Sequence, residues 1–164
     1  MPSRQRFLRL SVSVLAVAGG TAAFPSAAPA DAVSNAVASR VNAMRTSHGV
    51  GALAVDGRLI RAARSQSSAM MSRRQLAHGP TGSGRARLTR LCMRMNARTV
   101  GETIGWIRYR SPQAQAEGIV RWWMNSPPHR AALMSGTFKR IGVGRRTGNF
   151  GGHRVVWFTA DLSG

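Results

Sequence analysis

An α+β fold, in which a short β-sheet is covered by helices on both sides, is predicted by three features of this chain. Apolar residues in the first half recur at helical spacing, and the period switches to that of strands near the C-terminus. The last strand is apolar on both faces, so helices must lie above and below it. Of the 164 residues, those that follow a leader peptide suit one domain with one core.

Residues 1–30 read as that leader. Arg4, Arg6 and Arg9 come first, an apolar run occupies 10–18, and small residues end in Ala28, Pro29 and Ala30. This is the order of a secretory signal peptide, too short and alanine-rich for a membrane span. Cleavage after Ala30 is expected to release residues 31–164 as an extracellular domain with no integral membrane segment.

The first helix is carried by Val33, Val37, Val41 and Met44, which make one apolar stripe, and it ends by Gly49. Asp56 is placed to cap a second helix that buries Leu59, Ala63 and Met70, leaves Arg58, Arg61 and Arg64 in solvent, and fades near Arg73. Residues 79–98, glycine-rich and then arginine-rich, are predicted to form a long surface loop. Ser111 followed by Pro112 opens a helix with Ile119, Val120, Trp123 and Met124 on one face. Pro127 stops it, and Ser126 can cap a short helix with His129 in its first turn. Residues 138–143 and 154–160 are strands, joined by a hairpin through 147–152.

Composition narrows the chemistry. Lys and Arg number 24 against 5 Asp and Glu, a formal net charge of +19. Such a surface attracts polyanions, although arginines spread along the whole chain also fit a bias of composition. The carboxylates are Asp31, Asp56, Glu102, Glu117 and Asp161, and any acid–base or metal chemistry that needs one must draw on these. Asp56 reads as a cap, Glu117 as a helix-surface charge and Asp161 as a strand-end group. Glu102, among glycines and apolar residues, is the first suspect; it either carries such chemistry or fixes a loop by accepting backbone hydrogen bonds. Cys92 is the sole cysteine, so no internal disulfide can form, and beside Leu91 and Met93 it reads as a small buried group.

His129, at a helix start, is expected to be neutral and able to ligate a metal or accept a proton; a purely structural hydrogen bond is the alternative. His78 is equally open, and His48 and His153 read as solvated.

The ordered set of motifs goes further than any one of them. Asn42 to Arg45 as Asn-Ala-Met-Arg, Leu-Ala-Val-Asp-Gly-Arg-Leu at 53–59, the isolated His78, Gly-Glu-Thr-Ile at 101–104, Trp-Met-Asn-Ser-Pro-Pro-His-Arg at 123–130 and Phe-Lys-Arg-Ile-Gly-Val-Gly at 138–144 follow in one order. Together they resemble the CAP superfamily of cysteine-rich secretory proteins, antigen 5 and pathogenesis-related proteins, in the bacterial SCP-like form. The resemblance implies an α-β-α sandwich with a small antiparallel sheet between helices and a central cleft. His78 and His129 match the two cleft histidines and Glu102 the glutamate of the Gly-Glu box. Thr103 replaces a common asparagine. Ser126 stands in the cleft where eukaryotic members carry a second glutamate, which reduces the tetrad to a triad.

Three functions follow as expectations. The first is a secreted binding domain, a monomer, that holds a divalent metal such as zinc or a small ligand between His78 and His129, without catalysis. The second is a metallohydrolase with Glu102 as the catalytic general base on a metal-bound water, for which two histidines fall short of the usual three zinc ligands. The third is an arginine-rich module that binds polyanions, including cell-wall polymers, nucleic acid or anionic lipid.

Overall fold

A computed structural model describes residues 31–79 and 84–164; the predicted leader over 1–30 and positions 80–83 lie outside the described residues. Helix α1 spans Ala32–Ser47 and is capped by the Asp31 carboxylate, which accepts from the Val33 amide at 3.2 Å. Val33, Val37 and Val41 are buried, as their spacing predicts. Strand β1 is only Ala54–Val55. Helix α2, Gly57–Arg73, starts from Asp56, whose side chain accepts from the Arg58 amide at 2.7 Å, and buries Leu59, Ala63 and Met70.

The segment predicted to be a loop is largely helical. Helix α3 runs Gly84–Met95 and buries Leu91 and Met95, with Leu88 packed beside them under α2. These apolar residues recur at 88, 91 and 95, a helical stripe that the interleaved arginines mask. Cys92 is half-buried, and its thiol donates to the Ala97 carbonyl at 2.9 Å, which tightens the end of this helix.

Strand β2 covers Val100–Arg108, helix α4 Pro112–Met124 and helix α5 Pro127–Leu133. Strands β3, Arg140–Phe150, and β4, His153–Ser163, are longer than the pattern predicts. Their connection shrinks to Gly151 and Gly152, with φ of +56° and +75°. Two successive residues at positive φ make the tight hairpin turn that follows the twist of the strands, so residues 147–150 pair rather than loop.

The sheet order is β1-β3-β4-β2. β4 pairs antiparallel with both neighbours, but β1 joins β3 in parallel, so the sheet is mixed rather than wholly antiparallel. The chain leaves β1 through α2 and returns to β3 only after a long crossover, which permits the parallel pairing.

β4 decides the layering. Val156, Phe158, Ala160 and Leu162 pack into the core shared with α1 and α4, whereas Val155 and Trp157 pack with Met70 of α2. α2 sits unusually close to β3. A Cβ at Gly142 would fall 2.2 Å from the Ile60 nitrogen, and one at Gly144 would fall 2.1 Å from that of Arg64, so both positions exclude any side chain. Among the described residues, no helix is long and apolar enough to cross a membrane.

Candidate functional site

β2 is an edge strand of the sheet, and register places Glu102 directly opposite Asp161 of β4. Two carboxylates facing each other beneath helices would repel strongly. A cation from α3 separates their fates. Arg87 Nη1 and Nη2 donate to the two oxygens of Asp161 at 3.0 and 2.6 Å, and Nη2 also donates to the Ala62 carbonyl at 3.2 Å. Arg87 Nη1 further lies 2.5 Å from Glu102 Oε2, a contact of charges that is not aligned as a hydrogen bond. The other Glu102 oxygen, Oε1, is 2.7 Å from His78 Nδ1. Both carboxylates are fully shielded from solvent, Arg87 nearly so, and the His78 side chain is half-exposed.

His78 is delivered to this position by α2 and α3. Gln66, buried on α2, donates to the Ala77 carbonyl at 2.7 Å, and Gly84 at the start of α3 lies against the imidazole's Cβ. On the other side of β2, Trp123 of α4 donates its indole N–H to the Ile104 carbonyl at 3.0 Å, so α4 and the short α5 behind it are fixed to the strand that carries Glu102. Ser126 occupies the N-cap position of α5 but caps no amide. Its hydroxyl instead meets His129 Nδ1 at 2.8 Å, while the Trp122 ring lies 5.1 Å from the imidazole.

The electrostatics follow from these contacts. The hydrogen bond to Glu102 raises the His78 pKa above its usual 6.5 against the cost of burial, and the Glu102 charge adds to the rise. His129 moves the other way, lowered first by burial and then by the charge of His78. The sequence anticipates a neutral His129 from the helix terminus; burial and then the charge of His78 are the causes. Burial disfavours the Arg87 charge, but Asp161 and Glu102 outweigh it and hold its pKa above normal. Desolvation pushes Asp161 up to about 7, against the pull of Arg87 and with a further push from Glu102.

A pH effect on stability results. Between 3.8 and about 7 the folded chain retains at Asp161 a proton that the unfolded chain has released. The raised His78 acts in the same sense, its contribution complete below 6.5 and lost as the pH climbs through the folded value. His129 opposes them, and Asp56, lowered chiefly by its hydrogen bond to Arg58, acts only below 3.8. Asp161 therefore makes stability fall as pH rises from about 4 to 7, opposed by His129 below 6.5 and joined by His78 only above 6.5. Thermal melts across this range should show the decline, and Asp161→Asn should flatten it; a melting temperature that climbs with pH would contradict the assignment.

The structure thus brings His78 and Glu102 into contact, while His129 is oriented by Ser126 and its pKa is lowered by burial and, second, by the charge of His78. His48 is exposed and bonds to the Met44 carbonyl, and His153 is exposed beside Arg108, both apart from this group. Asp161 is not a strand-end charge but a buried member of the cluster. Continuing the alternation of Val155, Trp157 and Thr159 by one step would have placed it there. Arg87 was missed because its segment reads as loop. Among the described residues, no group of three or more His, Cys, Asp or Glu side chains is arranged to hold a metal.

Residues 38–162 match the family described as CAP, the cysteine-rich secretory protein family. The chain belongs to this family. Solved structures agree on the fold of the CAP domain. It is similar to an outer surface protein of Borrelia burgdorferi, with a TM-score of 0.66 and 17% identity over 81% of this chain and 92% of that one. An extracellular SCP-domain protein of Bacillus anthracis aligns with a TM-score of 0.63 and 22% identity, over 80% of this chain and 40% of that one. A cysteine-rich secretory protein of Staphylococcus aureus gives 0.59 and 15%, over 83% and 40%. The chain therefore spans less than half the length of the last two. No curated protein matches it. These structural relatives are extracellular, secreted or outer-surface proteins.

Proposed function

We propose that this CAP domain is exported and works as a binding module, taking a divalent metal or a small ligand at the cleft between His78 and His129, without catalysis of its own. The observation that carries the reading is the engagement of Glu102. Its carboxylate is wholly buried, one oxygen on His78 and the other on Arg87. A general base must reach a water or a substrate proton. Glu102 instead serves as the partner that orients His78, and this favours binding over the metallohydrolase alternative.

Zinc fits the imidazoles in one respect. Metal-ligating histidines characteristically give their other ring nitrogen to a carboxylate or similar partner. Here Nδ1 of His78 is taken by Glu102 and Nδ1 of His129 by Ser126, which leaves Nε2 of each ring for a ligand. A bound zinc would supply Lewis acidity at that place. The remaining coordination would fall to water or the ligand, because Glu102 is committed elsewhere.

Calorimetric titration near neutral pH tests the reading. One zinc per chain is expected, lost in His78→Ala and in His129→Ala and retained in His48→Ala and His153→Ala. Binding should weaken on acidification, since His78 gains its proton at a higher pH than a free imidazole. Undiminished uptake by the His78→Ala/His129→Ala double variant would refute the metal site and leave the pair as a fold-stabilising contact.

A further inference from the structure

The face of α2 that carries α3 is lined by arginines, of which only Arg87 belongs to the buried cluster around Glu102. Two adjoining cavities, of about 320 and 440 Å³, share Ala62, Ser65, Leu91 and Arg94 and so form one groove between the helices. Arg73 and Arg90 stand at one end, Arg94 in the middle, and Arg58 and Arg61 at the other. No carboxylate lines it. Arg58 is paired with Asp56. Arg61, Arg73, Arg90 and Arg94 are exposed and make no ion pair among the described residues.

We propose that this groove binds a linear polymer of phosphodiester groups linked through short polyols. From Arg58 to Arg73 the helix advances about 22 Å at 1.5 Å per residue. A single anion could satisfy one end only, whereas an extended chain can meet the arginines in succession. Arg90 and Arg94 lie about 6 Å apart along α3, one helical turn, comparable with the spacing of phosphates joined by a three-carbon linker. The guanidinium fork matches phosphate oxygens in pairs, and a phosphodiester stays charged at every pH the protein meets. The floor is made of Ala62, Ser65 and Ala69, small side chains that leave room for a polyol. No aromatic ring lines the groove, so it lacks the stacking platforms on which single-stranded nucleic acids rest their bases.

Fluorescence anisotropy with a labelled poly(glycerol phosphate) oligomer tests the proposal on the purified protein. Four arginine–phosphate contacts predict a log–log salt slope of about −3, since each contact on a single strand contributes about −0.7. Arg73→Gln/Arg90→Gln/Arg94→Gln should weaken binding about tenfold or more. Arg110→Gln/Arg121→Gln/Arg130→Gln removes the same charge elsewhere and should weaken it by less than about threefold. All six side chains are exposed, so an unchanged thermal melt is expected to confirm that each variant is folded. Equal losses in the two variants would reduce the effect to net charge and overturn the site. Tighter binding to single-stranded DNA of equal charge, or full competition by orthophosphate at equal phosphate concentration, would overturn the proposed partner.

Discussion

At pH 8, above the Asp161 pKa of about 7, Arg87→Met is expected to destabilise the domain by about 3–5 kcal/mol, the range for removing one partner of a buried ion pair. The side chain is 14% exposed and faces two carboxylates that are 0% exposed. Without the guanidinium, Glu102 and Asp161 would stand opposite each other across β2 and β4 with only the His78 hydrogen bond to offset their charge. Lost solvation of an unpaired buried charge is the larger part of such a penalty, not the attraction forgone. A second substitution separates the two contributions. In Arg87→Met/Asp161→Asn the surplus charge is gone, and much of the lost stability should return, giving a strongly non-additive cycle. Urea unfolding of the four species measures it. A single-variant loss below about 1 kcal/mol, or simple additivity, would show that the cluster is not the electrostatic unit its distances describe.

The cluster also shows what was legible in the sequence and what was not. Helices α1, α2 and α4 were readable because each has one apolar stripe, with Asp56 and Ser111 also marking the starts of α2 and α4; the Asp31 cap of α1 is visible only in the structure. The β3–β4 hairpin was readable from its period and its glycines, though its length was not, because the part of β3 with Arg145, Arg146 and Asn149 carries no apolar alternation. α3 was hidden by composition. Its stripe of Leu88, Leu91 and Met95 is narrow, and five arginines between 85 and 98 look like solvated loop. With α3 unread, Arg87 had no place from which to reach the sheet, and Asp161 had no visible partner. Motif order singled out His78, Glu102 and His129 as candidates. It could not say that Glu102 is held from two sides, since that depends on a strand register and a helix position that no local spacing encodes. β1 is the extreme case. Two residues pair with β3 in parallel through a contact that spans more than eighty positions of the chain, and nothing in Ala54 and Val55 announces it.

Trp123→Ala should cost about 3–5 kcal/mol, as truncation of a buried aromatic does, while Trp122→Ala should cost far less. The two neighbours differ by one step around α4. Trp123 is 0% exposed in the main core with Ile119, Val120 and Phe158, and Trp122 is 41% exposed. Truncating Trp123 removes a large side chain from a close-packed interior and opens a cavity that the helix cannot collapse. It also leaves the Ile104 carbonyl without the indole N–H that now reaches it at 3.0 Å. That bond ties α4 to the strand two residues beyond Glu102, so the damage should extend to Glu102 and its contacts. Trp122 instead lies over His129, and its loss should change the imidazole's surroundings with little effect on the fold. Histidine titration by NMR alongside thermal melts resolves the pair. In Trp122→Ala, a more solvated His129 should titrate closer to 6.5 while the melting temperature holds, because burial is the first cause of its lowered pKa. An unchanged His129 in Trp122→Ala, or a melt unaffected by Trp123→Ala, would reverse which indole supports the site and which one supports the core.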